Sequence, residues 1–206
     1  MSRIIGGSAG GRRLQIPKSG SRPTSERVRE AVFSALDARL GPTQPWVNRR
    51  VADLYAGSGA LGFEALSRGA LSATFVDNTH QSLQTIRANA EALGFAARAQ
   101  IVKAPVERFV QRPGLAGAFD LVFLDPPYEL PSQSIDTVLQ RFAGGTAGTG
   151  AGLLAPGGIV LVERSTTTAA PNWPPGWEDI GVKRYGQTVV YWARAGAPAA
   201  GQEHDG

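Results

Sequence analysis

Val51-Ala52-Asp53-Leu54-Tyr55-Ala56-Gly57-Ser58-Gly59-Ala60-Leu61-Gly62 is the stretch on which the fold turns. Val51 to Leu54 reads as a short buried strand, and Ala60 to Ser67 as a helix that ends at Gly69. The glycines between them let a ligand lie directly against the backbone. Taken literally, Gly57-Ser58-Gly59-Ala60-Leu61-Gly62 matches the dinucleotide fingerprint, with Asp77 twenty residues past Gly57. A carboxylate there, at the end of a second strand, can accept hydrogen bonds from ribose hydroxyls.

Asp53 divides the possible readings of that loop. It stands four residues before Gly57, where strand gives way to turn. A diphosphate wants helix N–H groups and no adjacent anion. A carboxylate at this place suits instead a cofactor with a cationic amino-acid end, such as S-adenosylmethionine (SAM), which carries an ammonium and a sulfonium. An NAD-dependent dehydrogenase stays open as an alternative, although the two histidines, His80 and His204, offer no obvious acid or base for it. A glycine turn of purely structural purpose also stays open.

Working outward, strand-like and helix-like segments alternate. Ala73 to Val76, Ala99 to Val102, Phe119 to Leu124 and Gly158 to Glu163 read as strands. Leu83, Ile86, Ala90 and Leu93 form a helical stripe closed by Gly94, and further helices fall around Val106 to Val110 and Ser134 to Phe142. Two last strands, Trp177 to Lys183 and Thr188 to Ala193, flank Tyr185-Gly186. The pattern predicts an α/β fold: a Rossmann-like, doubly wound, mostly parallel seven-stranded sheet with a late antiparallel strand. Ahead of it, Arg3-Ile4-Ile5 and Arg13-Leu14-Gln15-Ile16 flank Gly6-Gly7-Ser8-Ala9-Gly10-Gly11, predicting a small β-hairpin. Pro23-Thr24-Ser25 then opens a helix whose apolar face is Val28, Val32, Leu36 and Leu40, with Phe33 beside them and Gly41-Pro42 at its end. The expected organisation is a basic hairpin arm over 1–22, one catalytic domain over 23–194 and a disordered tail over 195–206. Gly144 to Gly152 reads as a flexible loop of no assigned role.

The strand Phe119 to Leu124 runs into Asp125-Pro126-Pro127-Tyr128. Two consecutive prolines donate no backbone N–H yet keep their carbonyls. With a carboxylate before them and an aromatic ring after, they form an acceptor-rich cup suited to an amino group on a planar ring. A Pro-Pro turn that merely caps the strand is the plainer alternative.

The 206 residues suffice for one sizeable domain with an extension. A hydrophobic content of 42% and a charged content of 18% fit an ordinary globular chain, and no apolar run approaches membrane-spanning length. No signal-peptide core is visible, so a cytoplasmic location is expected. The absence of cysteine excludes disulfides, thiolate metal sites and thiol nucleophiles, and no metal is expected. Charge is unevenly placed. Residues 1–30 hold seven Lys/Arg against Glu26 and Glu30, a net of +5, within a chain whose total is +4. A basic, glycine-interleaved arm can serve as a phosphate-backbone contact through Arg3, Arg12, Arg13, Lys18 and Arg22, or it can be a solvated tail.

On the glycine loop, Asp77 and Asp125-Pro126-Pro127-Tyr128, the chain resembles SAM-dependent amino-group methyltransferases. Arg3-Ile4-Ile5-Gly6-Gly7, Gly11-Arg12, Arg22-Pro23-Thr24-Ser25-Glu26-Arg27-Val28-Arg29-Glu30, Glu64-Ala65-Leu66-Ser67-Arg68-Gly69-Ala70 and Tyr185-Gly186 narrow the resemblance to the RsmD-type small-subunit (16S) rRNA guanine-N2 methyltransferases. It runs from about residue 3 to 193. The resemblance implies that Asp53, Tyr55, Ala56, Gly57, Ser58 and Gly59 line SAM. It implies further that Asp77 holds the ribose, that Asn78 lies beside the adenine, and that Pro105 and Val106 pass near the adenine edge. An acid often found at this last place is missing from Lys103-Ala104-Pro105-Val106, which leaves backbone groups or Glu107 for that contact. Asp125, Pro126, Pro127 and Tyr128 would be the catalytic cup, and the partner would be small-subunit rRNA, naked or in an assembling particle. An adenine-N6 or cytosine-N4 methyltransferase fits the same cup, and a non-catalytic RNA-binding assembly factor fits the arm.

Overall fold

The computed structural model describes residues 2–17, 26–41, 46–127, 129–144 and 152–196. The chain opens with β1 (Ser2–Arg3) and β2 (Arg13–Leu14), an antiparallel pair joined through a 3-10 turn at Gly7–Ala9. Then come α1 (Glu26–Leu40), β3 (Arg50–Leu54), α2 (Ala60–Arg68), β4 (Ser72–Asp77), α3 (His80–Leu93) and β5 (Ala99–Lys103). They are followed by α4 (Val106–Phe109), β6 (Phe119–Leu124), α5 (Ser132–Ala143), β7 (Leu154–Ser165), β8 (Glu178–Tyr185) and β9 (Thr188–Arg194).

Seven strands make one sheet in the order β5-β4-β3-β6-β7-β9-β8. β3 to β7 pair in parallel, and β9 runs antiparallel to both of its neighbours. This is the expected doubly wound architecture. Its strands are long apolar runs because helices cover both faces. One face carries α1, α2 and α3 through Val32, Phe33, Leu36, Phe63, Leu66, Ile86 and Leu93. The other carries α4 and α5 through Val106, Phe109, Ile135, Val138, Leu139 and Phe142.

Chain order reverses between β3 and β6. After β3 the chain winds outward through β4 and β5, then returns to lay β6 on the other side of β3. In open α/β sheets the crevice at such a reversal, beyond the carboxyl ends of the strands, is where ligands bind. Here that crevice separates the glycine loop after β3 from Asp125 after β6. β7 is longer than its sequence suggests. It begins at Leu154, and a register shift against β6 between Phe119 and Leu121 absorbs Ala155-Pro156-Gly157-Gly158, residues that read as loop.

The hairpin packs onto the body of the fold. Ile4, Ala9 and Leu14 are buried in the same core as α1 and α2. Glu64 of α2, fully buried, accepts the N–H groups of Ile5 (2.7 Å) and Gly6 (2.9 Å) and the Nε of Arg68 (3.0 Å). Arg29 of α1, equally buried, donates to Ser2 Oγ (3.1 Å) and the Arg3 carbonyl (2.6 Å). Burial lowers the Arg29 pKa from its ordinary value, while Glu64 and Glu26 act to raise it. Ser67 joins the arm twice more, donating to the Gly6 carbonyl and accepting from the Ala9 N–H. Gly7 needs its glycine. Its φ is +76°, and an added Cβ would meet the Ser67 carbonyl at 2.0 Å.

Candidate active site at the carboxyl edge of the sheet

Four strand ends line up through the sheet register. Leu54 of β3 pairs with Val76 of β4 and Leu124 of β6, and Asp77 pairs with Lys103 of β5. The residues just past these pairs are therefore neighbours: Tyr55 to Gly59, Asn78, Ala104 to Val106, and Asp125 to Pro127. The Ala104 N–H donates to the Asp77 carbonyl, and the Asp125 N–H reaches the Leu54 carbonyl at 3.5 Å. One edge thus brings together the described residues that the sequence nominated for cofactor and catalysis. Tyr128 lies outside the described residues, as do Lys18 and Arg22.

The glycine loop is held by carboxylates. The Gly57 N–H donates to Asp77 Oδ2 at 3.0 Å, and the Gly62 N–H donates to Asp53 Oδ2 at 2.9 Å. Asp77 Oδ1 also accepts the N–H (2.8 Å) and hydroxyl (2.9 Å) of Thr79, the residue that caps α3. Asp77 therefore orders the loop and the next helix start while remaining at the edge. Gly57 and Gly59 have φ of +56° and +77°, in the left-handed region. Gly62 answers a different need: an added Cβ would meet the Phe75 ring at 2.4 Å, so this glycine lets α2 close on the sheet.

Tyr55 is the strained residue of the edge. Its φ is +61°, an uncommon value for a bulky side chain, and its hydroxyl donates to Glu107 Oε1 at 3.1 Å. Burial and the neighbouring Glu107 carboxylate raise its pKa. Glu107, named above as a stand-in for the missing acid near Pro105, is thereby tied to Tyr55. Pro105 and Asn78 are exposed at the edge, whereas the Val106 side chain is spent in the core.

Burial pushes Asp53 up to about 8; the Gly62 N–H pulls it back, and the Asp125 and Asp77 carboxylates push it further up. An edge at which Asp77 and Asp125 both act on Asp53 as like charges favours a cation and opposes a diphosphate. That electrostatic sign favours the SAM reading of the loop over the dinucleotide one. Asp125 is half-buried and Pro126 buried. The Pro127 carbonyl accepts the Leu130 N–H at 3.0 Å.

Sequence reasoning missed Asn89. This residue of α3, 1% exposed, donates from Nδ2 to the carbonyls of both Gln15 and Ser58 at 3.0 Å and accepts the Gln15 N–H at 2.9 Å. Its amide pairs with the end of the arm as a strand neighbour would, and the same amide fixes the glycine loop. The available signal was an asparagine beside Ala90 on the apolar stripe, where helix propensity and hydrophobic patterning both argue against one.

Among the arm residues nominated for RNA, Arg3 pairs with Glu26 at 3.2 Å, with both side chains solvent-accessible. Arg12 caps the C-terminus of α3 by donating to the carbonyls of Ala92 and Leu93. Arg13 is exposed. Among the described residues no helix is long and apolar enough to cross a membrane, and no cluster of three or more His, Cys, Asp or Glu side chains could hold a metal ion.

A family model described as Conserved hypothetical protein 95 matches residues 2–194. Ribosomal RNA small subunit methyltransferase D of Escherichia coli is 34% identical over 178 residues, 85% of this chain and 80% of that protein. The Haemophilus influenzae protein of the same name is 35% identical over 150 residues, 68% of this chain and 71% of that protein. Among solved structures, yhhF from Escherichia coli superposes with a TM-score of 0.79 at 31% identity, covering 96% of this chain and 99% of that one.

Proposed function

The chain belongs to the Conserved hypothetical protein 95 family, together with ribosomal RNA small subunit methyltransferase D, and we propose that it moves a methyl group from SAM to the exocyclic N2 of a guanine in small-subunit rRNA. The observation that carries this reading is the register that sets the carboxylate-held glycine loop beside Asp125-Pro126 at the switch point.

The residues fit SAM. Left-handed Gly57 and Gly59 would let the cofactor approach the backbone, Asp77 would hold the ribose, and Asp53 would meet the cationic amino-acid end. SAM supplies an electrophilic methyl on a sulfonium, which departs as a neutral thioether as the new N2–C bond forms.

The protein's task is to make a poor nucleophile reactive. The guanine amine shares its lone pair with the ring. Asp125 and the Pro126 carbonyl accept its two N–H bonds, so the nitrogen pyramidalises and its lone pair turns toward the cofactor. Asp125 then takes the proton that the methylated nitrogen must lose, since an ammonium attached to the electron-poor guanine ring is far more acidic than an ordinary carboxylic acid. Tyr128 stacks on the base, which must leave its helix to reach the cup. The exposed cations of the arm, Arg13 foremost, contact the phosphate backbone.

The test is direct. Labelled SAM is incubated with the protein and with either naked small-subunit rRNA or assembling particles, and the modified nucleotide is mapped. Label on guanine N2 is expected. Label on adenine N6 or cytosine N4 would transfer the reading to those amines, and NAD binding without SAM binding would restore the dehydrogenase.

A further inference from the structure

We propose that Glu163 selects guanine by accepting its ring N1–H beside the amino group received by Asp125; this rests on the amino-methylation reading above. Glu163 lies near the carboxyl end of β7. Leu124 of β6 pairs in parallel with Val162 of β7, so Asp125 and Glu163, the next residue on each strand, are register neighbours. Parallel strands run about 4.8 Å apart, close enough for two adjacent donors of one base to meet two carboxylates.

Glu163 also faces the right way. Along β7, Ile159 and Leu161 point to the face packed by α1 and α2, and alternation sends Glu163 to that same face. There it is only 8% exposed and lines a small cavity with Val32, Leu61, Phe123, Leu161 and Val190. Leu61 belongs to the first turn after the glycine loop, and Phe123 sits two residues before Asp125. The cavity therefore adjoins both the cofactor loop and the cup; it is too small for a base, and it places the Glu163 carboxylate in an otherwise apolar wall beside the cup.

The three bases with exocyclic amines differ at the ring atom next to the amine-bearing carbon. Guanine presents N1–H, a donor. Adenine presents N1 and cytosine presents N3, both acceptors. A second carboxylate beside Asp125 welcomes the donor–donor edge of guanine and sets a lone pair against the other two. The cup alone recognises an amine, whereas the cup with Glu163 recognises guanine. One such contact discriminates by roughly ten- to a hundred-fold.

The experiment uses the full chain and small-subunit rRNA carrying either guanine or 2-aminopurine at the mapped position. 2-Aminopurine keeps the amine but has an acceptor at N1. The wild type is expected to prefer guanine by at least about tenfold. Glu163→Gln, whose amide can donate or accept, is expected to bring the ratio near one and to methylate 2-aminopurine faster than the wild type does. Equal wild-type rates on the two bases would overturn the proposal, as would an unchanged ratio in Glu163→Gln. If that variant does not fold, the wild-type ratio decides alone. Methylation of adenine or cytosine would instead sink the underlying guanine reading, and this inference with it.

Discussion

The carboxyl edge of the sheet and the N-terminal arm use polar residues in opposite ways. At the edge, the carboxylates of Asp77 and Asp125 act against the charge of Asp53, while Asp53 and Asp77 accept the N–H groups of Gly62 and Gly57, an arrangement that opposes its own charge. Beneath the arm, Arg29, Glu64, Ser67 and Asn89 of α1, α2 and α3 are buried, and each is matched to a backbone group of residues 2–15. A mismatched cluster that the fold nevertheless holds in place awaits a ligand, whereas a matched one is a fastening. The arm is thus a brace that carries surface cations, and the edge is where chemistry belongs.

Breaking the brace should have the largest effect on stability. Glu64→Ala leaves the Ile5 and Gly6 N–H groups and Arg68 short of a buried anion, and should cost about 3–5 kcal/mol. Denaturant unfolding measures this, and a loss below about 1 kcal/mol would mean that the arm is a loose tail after all. Asn89→Ala touches both regions at once. It should weaken SAM binding by roughly tenfold through the freed Ser58 carbonyl, read by titration calorimetry, with the helix itself intact by circular dichroism.

The edge has a pH signature. Because the folded-state pKa of Asp53 lies near 8, above that of an exposed aspartate, the folded chain holds the extra proton between about pH 4 and 8. The contribution of this group to stability therefore falls as pH rises through that window. A bound cation reverses the preference, so SAM binding near pH 7 should release up to one proton. Calorimetry in buffers of different ionisation enthalpy detects the release, and Asp53→Asn should abolish it. The smallest effect is expected at the arm's surface. Arg13→Ala should leave SAM binding unchanged and reduce the salt slope of RNA binding by about one. Deleting the arm would be a poor substitute, because Ile4, Ala9 and Leu14 would leave the core with it.

This contrast explains what could be read in the chain. The sheet was legible because parallel strands buried on both faces must be continuous apolar runs, and Asp125 and Asp77 were legible because they end such runs. The start of β7 was hidden by Pro156-Gly157-Gly158, whose turn chemistry masked a bulge. The brace was hidden for a deeper reason. Arg29, Glu64 and Asn89 occupy helices, where a polar residue ordinarily faces water, and only the tertiary approach of residues 2–15 buries them. The charge count over residues 1–30 includes Arg29 among seven Lys/Arg, yet Arg29 is fully buried. The left-handed backbone of Tyr55 carries no sequence signal either, since glycine or asparagine is the usual occupant of that region.

The claim that the edge does chemistry while the brace holds it in place is tested most directly at Asp125. Single-turnover methyl transfer and SAM affinity should be measured side by side in Asp125→Ala. Transfer is expected to fall by about 10²- to 10⁴-fold while SAM affinity stays within a few-fold. Transfer at the wild-type rate, or loss of SAM binding in a folded variant, would contradict the role given to this carboxylate.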